Sequence, residues 1–238
     1  MIPTTGQFTR KPKVTFLGGT ATDPEQASNG TYVDNLPAFG EPWTDMQLIN
    51  SGFAGNGASS YYDNSDLLAQ RLGNYNSRIY FVMLGQDDFQ QGDSSSEFQK
   101  NFRFVISSIA NNTNAIVFVL NLYWLPIASI PILPISQTFR RYQQVINSTA
   151  QEFKYQLVDI YAKTAGNFNY LQNDLVHLNQ AGQQAVAAKI HNATSTIIQD
   201  RLSLIVNYNK NANIIIGILV VVGLVALIPI LQRYNQSE

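Results

Sequence analysis

Asp174 and His177 stand three residues apart and are followed by Asn179 and Gly182. A histidine titrates near neutral pH, and a nearby carboxylate can orient its ring, so the pair has the residue types of a general base and its partner. Only two histidines occur in the chain. The spacing alone fits a surface histidine on a loop before a helix equally well.

Three short apolar runs upstream each end in a segment rich in glycine or in polar residues. The runs cover 13–17, 46–50 and 79–84, and the segments after them contain Gly18 and Thr20, Gly52 and Gly55, and Gly85, Asp87 and Asp88. A threonine hydroxyl is a candidate nucleophile, and glycine-rich backbone leaves amide N–H groups free to bind a polarised oxygen. Each segment taken alone is equally typical of a plain turn at a strand end.

These segments need strands and helices to position them. Strands are predicted over 13–17, 46–50, 79–84, 115–120 and 156–160, and helices over 66–72, 95–110, 137–153 and 181–205. Alternation of this kind predicts an α/β fold with a parallel sheet covered by helices on both faces. Residues 25–42 and 121–136 are predicted as loops, and the second loop is long enough to have a functional or covering role.

Composition excludes several classes of function. The formal net charge is -1 and 13% of the residues are charged, which gives no electrostatic basis for binding nucleic acid. The absence of cysteine excludes disulfides and thiolate sites, and two histidines leave little for zinc. We therefore predict no metal and no cofactor.

The segment from Ile214 to Leu231 contains no charged side chain. As a helix it would be roughly 27 Å long, close to the thickness of a bilayer core, and Tyr208 and Tyr234 flank it as interfacial aromatics would. We predict a body over 1–205, a linker over 206–213, a transmembrane helix over 214–231 and a short tail over 232–238. The protein is then a single-pass membrane protein with a C-terminal anchor and the lipid bilayer as a partner.

Four segments together resemble the SGNH (GDSL) hydrolase family. The matching stretches, in chain order, are Phe16-Leu17-Gly18-Gly19-Thr20, Asn50-Ser51-Gly52-Phe53-Ala54-Gly55, Gly85-Gln86-Asp87-Asp88, and Asp174-x-x-His177 followed by Asn179 and Gly182. The resemblance covers roughly 13–200 and implies a flavodoxin-like three-layer α/β/α fold with a five-stranded parallel sheet. Members of the family are mostly esterases, lipases and carbohydrate deacetylases.

The resemblance also assigns site residues. Thr20 occupies the nucleophile position, His177 the base and Asp174 its partner, while Gly55 and Asp87 occupy the oxyanion-hole positions. The remaining matched residues, which would support the site, are Gly18, Gly52, Gly85, Asp88 and Asn179.

Departures from the family pattern fall on the chemistry. Threonine replaces the nucleophilic serine, and its β-methyl group crowds both the rotamer and the attack trajectory. Asp87 replaces an asparagine that would donate to the oxyanion, and Gly19 replaces the aspartate before the nucleophile. We therefore predict a catalytically inactive domain that acts as a structural or interaction subunit of a membrane-associated assembly, with other protein subunits as partners. Such an assembly could be an organellar complex or a virion with an internal membrane.

Two alternatives remain open from the sequence. One is a membrane-anchored esterase or deacetylase in which Thr20 attacks, His177 is the base, Asp174 orients it and the Gly55 amide binds the oxyanion. The other is a module that binds sugar or lipid without turnover, for which Trp124 in the long loop is the supporting residue.

Overall fold

A computed structural model of the chain describes residues 11–26, 30–126, 130 and 133–204. Five strands form one sheet in the order β2-β1-β3-β4-β5, and all neighbouring pairs are parallel. The strands are β1 (Lys13–Gly18), β2 (Gln47–Gly52), β3 (Ile79–Met83), β4 (Ile116–Leu120) and β5 (Gln156–Val158). The predicted five-stranded parallel sheet is confirmed.

Helices connect the strands and cover the sheet. They are α1 (Tyr32–Asn35), α2 (Ala58–Asp63), α3 (Ser65–Tyr75), α4 (Gln86–Gln91), α5 (Ser95–Asn112), α6 (Pro134–Glu152), α7 (Ile160–Thr164) and α8 over 180–204. Right-handed crossovers place α2, α3, α5 and α6 on one face and α1 on the other. The α/β/α arrangement of three layers follows from this topology.

A row of aromatic rings crosses the sheet on the face that α1 covers. Phe16, Phe81 and Phe118 are register partners on β1, β3 and β4, and their neighbouring rings stack with centroids 4.8 Å apart. Trp43 packs against Phe81 and donates its indole N–H to Nδ1 of His191 at 3.0 Å. Because His191 lies on α8, this bond attaches α8 to the same face.

Packing on the opposite face explains why α5 is long and regular. Ser94 and Glu97 form a capping box at its start, which satisfies amide N–H groups that an isolated helix end would leave free. Phe98 and Phe102 are fully buried at helical spacing, and the ring of Phe98 stacks on Tyr142 of α6 at 4.1 Å. The helix therefore contributes core side chains to the layer on this face of the sheet.

Two loop predictions are wrong in part. The segment 25–42, predicted as a surface loop, contains α1 and short 3-10 turns, and Tyr32 and Leu36 in it are fully buried. Tyr32 packs edge-on against Phe16 of β1, and its backbone N–H donates to Gln183 of α8 at 2.9 Å, contacts that composition alone did not indicate. The stretch Gly85-Gln86-Asp87-Asp88-Phe89, predicted as the loop after β3, enters α4 at Gln86.

The chain divides into two compact units. The unit Arg10–Ser195 contains the whole sheet and every predicted site residue. Of the other unit, the structure describes 196–204, at the end of α8. The predicted linker, transmembrane helix and tail over 206–238 lie outside the described residues, and no helix within the described part is long and apolar enough to cross a membrane.

Candidate active site

Three loops meet where β1, β2 and β3 end. Gly18, Gly52 and Met83 are register partners at the carboxyl ends of these parallel strands, so the chain leaves all three strands at one edge of the sheet. The segments that follow these strands carry Thr20, Gly55 and Asp87, and Asp87 lies in the first turn of α4. Open parallel sheets bind ligands at this edge, and the fold therefore brings together residues that are distant in sequence.

The Asp87 carboxylate lies at the centre of this meeting point. Its Oδ2 accepts the Thr20 backbone N–H at 2.9 Å, and its Oδ1 accepts the Thr20 hydroxyl through a short hydrogen bond. The Gly55 N–H is shared between Asp87 Oδ1 at 3.2 Å and Thr20 Oγ1 at 3.1 Å. Asp87 is only 4% exposed. The Gly55 N–H, at a predicted oxyanion-hole position, and the Thr20 N–H, at the predicted nucleophile position, are therefore both bonded to a carboxylate of the chain itself.

Gly19 makes this arrangement possible. A Cβ atom added at Gly19 would stand 1.7 Å from Asp87 Oδ2, so a side chain at this position is incompatible with the carboxylate where it lies. The two departures from the family pattern at positions 19 and 87 are thus spatially coupled. Sequence reasoning treated them as separate losses, because nothing in their spacing indicates contact.

Asp88, the next residue, has a structural role. It is fully buried and accepts the Ala58 N–H at 2.9 Å and the Ser59 N–H at 3.0 Å, which are the free donors at the start of α2. Burial raises the pKa of Asp88, and the amide hydrogen bonds from Ser59 and Ala58 offset only part of this effect. The carboxyl group therefore fixes the start of α2 and, with it, the end of the loop that carries Gly55.

Asp174 and His177 form the pair that their spacing predicts. Asp174 Oδ2 lies 2.6 Å from His177 Nδ1, and Oδ1 accepts the backbone N–H groups of Val176 and His177 at 2.9 Å and 3.0 Å. Partial burial raises the pKa of Asp174, but the hydrogen bonds from His177 and Val176 outweigh this and lower it overall. A carboxylate only accepts, so Nδ1 donates and Nε2 is left as the basic nitrogen.

The remaining predicted residues support these loops. Asn179 donates to the carbonyls of Asn169 and Leu171 and accepts the Gly182 N–H, which ties the start of α8 to the preceding turn. Gly85 precedes α4 with φ +118, a conformation that favours glycine. Gly18 and Gly52 are the last residues of β1 and β2.

Tyr123 attaches the histidine turn to the segment that follows β4. It is buried after β4, and its hydroxyl donates to the Val176 carbonyl, inside the Asp174–His177 turn, at 2.8 Å. Burial raises its pKa, and the negative charges of Asp87 and Asp174 raise it further. That His177 lies opposite Thr20 stays a prediction.

Sequence reasoning missed three supporting residues. Asp23 accepts the Ala54 N–H at 2.6 Å, Gln91 donates to the Gly55 carbonyl at 2.8 Å, and Tyr123 holds the histidine turn. Of these, Asp23, in the turn after β1, could have been predicted from the sequence, since aspartate often accepts backbone N–H groups in turns. Within the described residues, no group of three or more acidic, histidine or cysteine side chains is placed to hold a metal ion.

Comparison with known proteins agrees with this architecture. The family model described as GDSL-like Lipase/Acylhydrolase matches residues 16–185. The acetylxylan esterase Axe2 from Geobacillus stearothermophilus is a structural neighbour with a TM-score of 0.62 at 19% identity, covering 76% of this chain and 93% of that chain. LAE5, an alpha/beta hydrolase enzyme from the metagenome of Lake Arreo, has a TM-score of 0.64 at 18% identity, covering 79% and 97%. No curated relative matches the chain in sequence.

Proposed function

We propose that this chain, which belongs to the GDSL-like lipase/acylhydrolase family, is a non-hydrolytic member of it. Its role would be that of a structural or interaction subunit in a membrane-associated assembly. The observation that supports the loss of hydrolysis is the position of the Asp87 carboxylate, which accepts hydrogen bonds from the Thr20 backbone, the Thr20 hydroxyl and the Gly55 backbone.

An ester hydrolase must stabilise the oxyanion of a tetrahedral intermediate. Removal of one hydrogen-bond donor from an oxyanion hole typically costs about 10²–10³ in rate. Here two backbone donors are engaged by a carboxylate, and a negative charge about 4 Å from an oxyanion adds repulsion on the order of 4 kcal/mol at an effective dielectric constant of about 20. The substrate oxygen would have to displace a like charge from its own binding position.

The nucleophile is also unsuited to attack. The Thr20 hydroxyl has one proton and donates it to Asp87, so this proton is not directed at the His177 base. Its β-methyl group restricts the rotamer from which attack would occur. The two effects act on the same bond-forming step, because a hydroxyl attacks only when a base can accept its proton.

The membrane part of the proposal rests on the sequence from Ile214 to Leu231. An uncharged segment of this length matches a bilayer core, and a stable α/β body attached to it suits a subunit of a large membrane-associated assembly. An organellar complex and a virion with an internal membrane are both settings of this kind.

An active membrane-anchored esterase or deacetylase is the second candidate. The observation that favours it is the 2.6 Å contact between Asp174 and His177, which is the arrangement that a general base needs. In this reading Thr20 attacks and the Gly55 amide binds the oxyanion after Asp87 has moved or gained a proton.

Hydrolysis of p-nitrophenyl acetate separates the two candidates. The wild type and His177→Ala should show the same low rate, because no step of a scaffold requires the base. Thr20→Ala serves as a matched control for the nucleophile. A kcat/KM that falls on either substitution would overturn the non-hydrolytic proposal and favour the esterase.

The anchor has its own test. The full-length protein should sediment with membranes and resist carbonate extraction, whereas a truncated chain that ends at Asn207 should stay in the supernatant. Full-length protein that is monomeric in solution without detergent would contradict the anchor and leave the account of the cleft unaffected.

A further inference from the structure

Arg71 on α3 is a half-buried cation beside the loop that carries Gly55. Its guanidinium carbon lies 4.5 Å from the ring centroid of Phe53 and 5.4 Å from that of Tyr61. Phe53 is 53% exposed and stands two residues before Gly55. The guanidinium therefore contacts both a surface aromatic ring and a buried one, beside the loop that carries Gly55.

One nitrogen of the guanidinium fixes its position. Nη1 donates to the Tyr61 hydroxyl at 2.6 Å, and its other near acceptors are Ser51 Oγ at 3.2 Å and the Ser51 carbonyl at 3.4 Å. Burial raises the pKa of Tyr61 to about 12, and the positive charge of Arg71 opposes this rise. These contacts orient the guanidinium through Nη1 and stabilise its stacking on Phe53.

The opposite edge of the same plane has no hydrogen-bond partner among the residues that the structure describes. Within the described part of the chain, no acceptor bonds Nε or Nη2 of Arg71, and the ion pairs are Arg103–Glu152 and His177–Asp174 only. The N–H groups on Nε and Nη2 point in parallel, which is the fork that binds both oxygens of a carboxylate. A partly buried charge without a counter-ion is costly, so an oriented and unpaired guanidinium is typical of a site for an anion.

We propose that Arg71 and Phe53 form a docking site for an acidic side chain of a partner protein. The carboxylate would bind the Nε–Nη2 edge of Arg71, and an apolar side chain next to it would cover the exposed ring of Phe53. Charge complementarity supports an acidic partner, and the exposed aromatic ring supports one that presents an apolar residue beside its carboxylate. The site lies beside the cleft and does not depend on Asp87, so its failure and that of the non-hydrolytic proposal are distinguishable.

The side-chain Nε–H resonance of Arg71, followed by ¹⁵N NMR on the intact protein in detergent, reports directly on this edge. The probe is a blocked tripeptide, acetyl-Ala-Glu-Phe-amide, and its matched control is acetyl-Ala-Gln-Phe-amide. The glutamate peptide should shift the resonance in a saturable way at millimolar concentration, and the glutamine peptide should leave it in place. Equal shifts from both peptides, or no shift from either, would overturn the proposal.

Substitutions then test which residues bind. Arg71→Lys should weaken binding of the glutamate peptide about tenfold, followed through backbone amides of the Phe53 loop, because lysine cannot form the bidentate contact. Arg78→Lys, which changes an exposed arginine at the start of β3, is the matched control and should bind as the wild type does. Phe53→Ala should weaken binding about threefold by removing the apolar contact, and it provides a second test if Arg71→Lys fails to fold.

Succinate distinguishes a protein partner from a small anion. Its carboxylates should move the Arg71 resonance only at concentrations well above those needed with the glutamate peptide, because it offers no apolar side chain to Phe53. Succinate binding as tight as the peptide would contradict a protein partner, and so would Arg78→Lys weakening the peptide as much as Arg71→Lys.

Discussion

The two halves of the site differ in how they are built. The Asp174–His177 pair lies within four consecutive residues and is partly exposed, with 44% and 35% of the respective side-chain surfaces accessible. The cluster of Thr20, Gly55 and Asp87 comes from two loops and the first turn of α4, and its carboxylate is almost fully buried. The Asp174–His177 pair has the arrangement that a general base needs. In the other cluster, the Thr20 and Gly55 N–H groups donate to the carboxylate of Asp87.

Under the non-hydrolytic proposal, the chemistry is lost at the Thr20, Gly55 and Asp87 cluster, while the histidine turn keeps its structure. The histidine turn is stabilised by its own hydrogen bonds, since Asp174 accepts two backbone N–H groups of the turn as well as the ring N–H. The pair can therefore persist for structural reasons. The cluster of Thr20, Gly55 and Asp87 depends on positions 19 and 87, because the carboxylate of Asp87 lies where a side chain at position 19 would stand. In our proposal, this carboxylate fills the site that an oxyanion would occupy.

Substitutions that restore the family residues at positions 20 and 87 should give the largest effect. Thr20→Ser alone should gain little, because the hydroxyl still faces Asp87. Asp87→Asn should remove the negative charge and replace one acceptor oxygen by an N–H donor. The double variant should exceed the product of the single effects, because the residues act as one unit. We expect kcat/KM on p-nitrophenyl acetate to rise by on the order of 10³ or more in the double variant.

The control for that series is His177→Ala in every background. Activity that survives this substitution would not come from the site. If the double variant remains inactive although it is folded, the contrast between the two halves is too simple, and residues beyond positions 20 and 87 have closed the cleft.

Asp88→Ala tests whether the buried carboxylate next to Asp87 stabilises the fold. Loss of the carboxylate would leave the Ala58 and Ser59 N–H groups without partners in a buried position, and we expect the free energy of unfolding to fall by roughly 2–4 kcal/mol. Urea denaturation measures this. Asp63→Ala, at an exposed position on α2, is the matched control and should change stability little. Equal effects of the two substitutions would mean that Asp88 does not hold α2.

Tyr123→Phe removes a hydrogen bond that holds the histidine turn in place. Loss of the hydrogen bond to the Val176 carbonyl should lower stability by about 1 kcal/mol. In the background of the active double variant it should also lower kcat, because the histidine turn loses its attachment. Tyr170→Phe is the control, since the Tyr170 hydroxyl makes no hydrogen bond within the described residues. An unchanged kcat would show that the turn positions itself.

The smallest effect is a difference in pH dependence. The pKa of Asp88 is raised in the fold, so its contribution to stability is present at low pH and is lost as pH rises from about 4 towards the raised value. The pKa of Asp174 is lowered, so its contribution is present above about pH 4 and is lost as pH falls through the lowered value. In a plot of unfolding free energy against pH, Asp88→Asn should flatten the alkaline side and Asp174→Asn the acidic side. Flattening of the same side by both substitutions would contradict the assignment.

The sequence predicted most of the fold because the strands are short apolar runs and the long helices have clear periodicity. It placed all five strands to within a few residues, and the amphipathic pattern of α5 matched the buried Phe98 and Phe102. It missed α1, α2, α4 and α7, which have at most six residues each and depend on tertiary contacts such as the Asp88 bonds to the start of α2.

The site was predicted unevenly for the same reason. The contact of Asp174 with His177 is local and follows from a spacing of three residues. The occupation of the Thr20 and Gly55 amides by Asp87 depends on how three loops pack, and the sequence indicated only that a charge at position 87 would be unfavourable. The space that Gly19 provides for that charge was visible only in three dimensions.

The central claim is that the Asp87 carboxylate occupies the donors of the oxyanion hole, and the amide proton shifts of Thr20 and Gly55 measure this directly. Hydrogen bonds to a carboxylate move amide protons downfield, so both resonances should move upfield in Asp87→Ala. The Ala54 amide, which is bonded to Asp23 instead, should stay in place as an internal reference. Thr20 and Gly55 amide protons that keep their wild-type shifts in a folded Asp87→Ala protein would contradict the account.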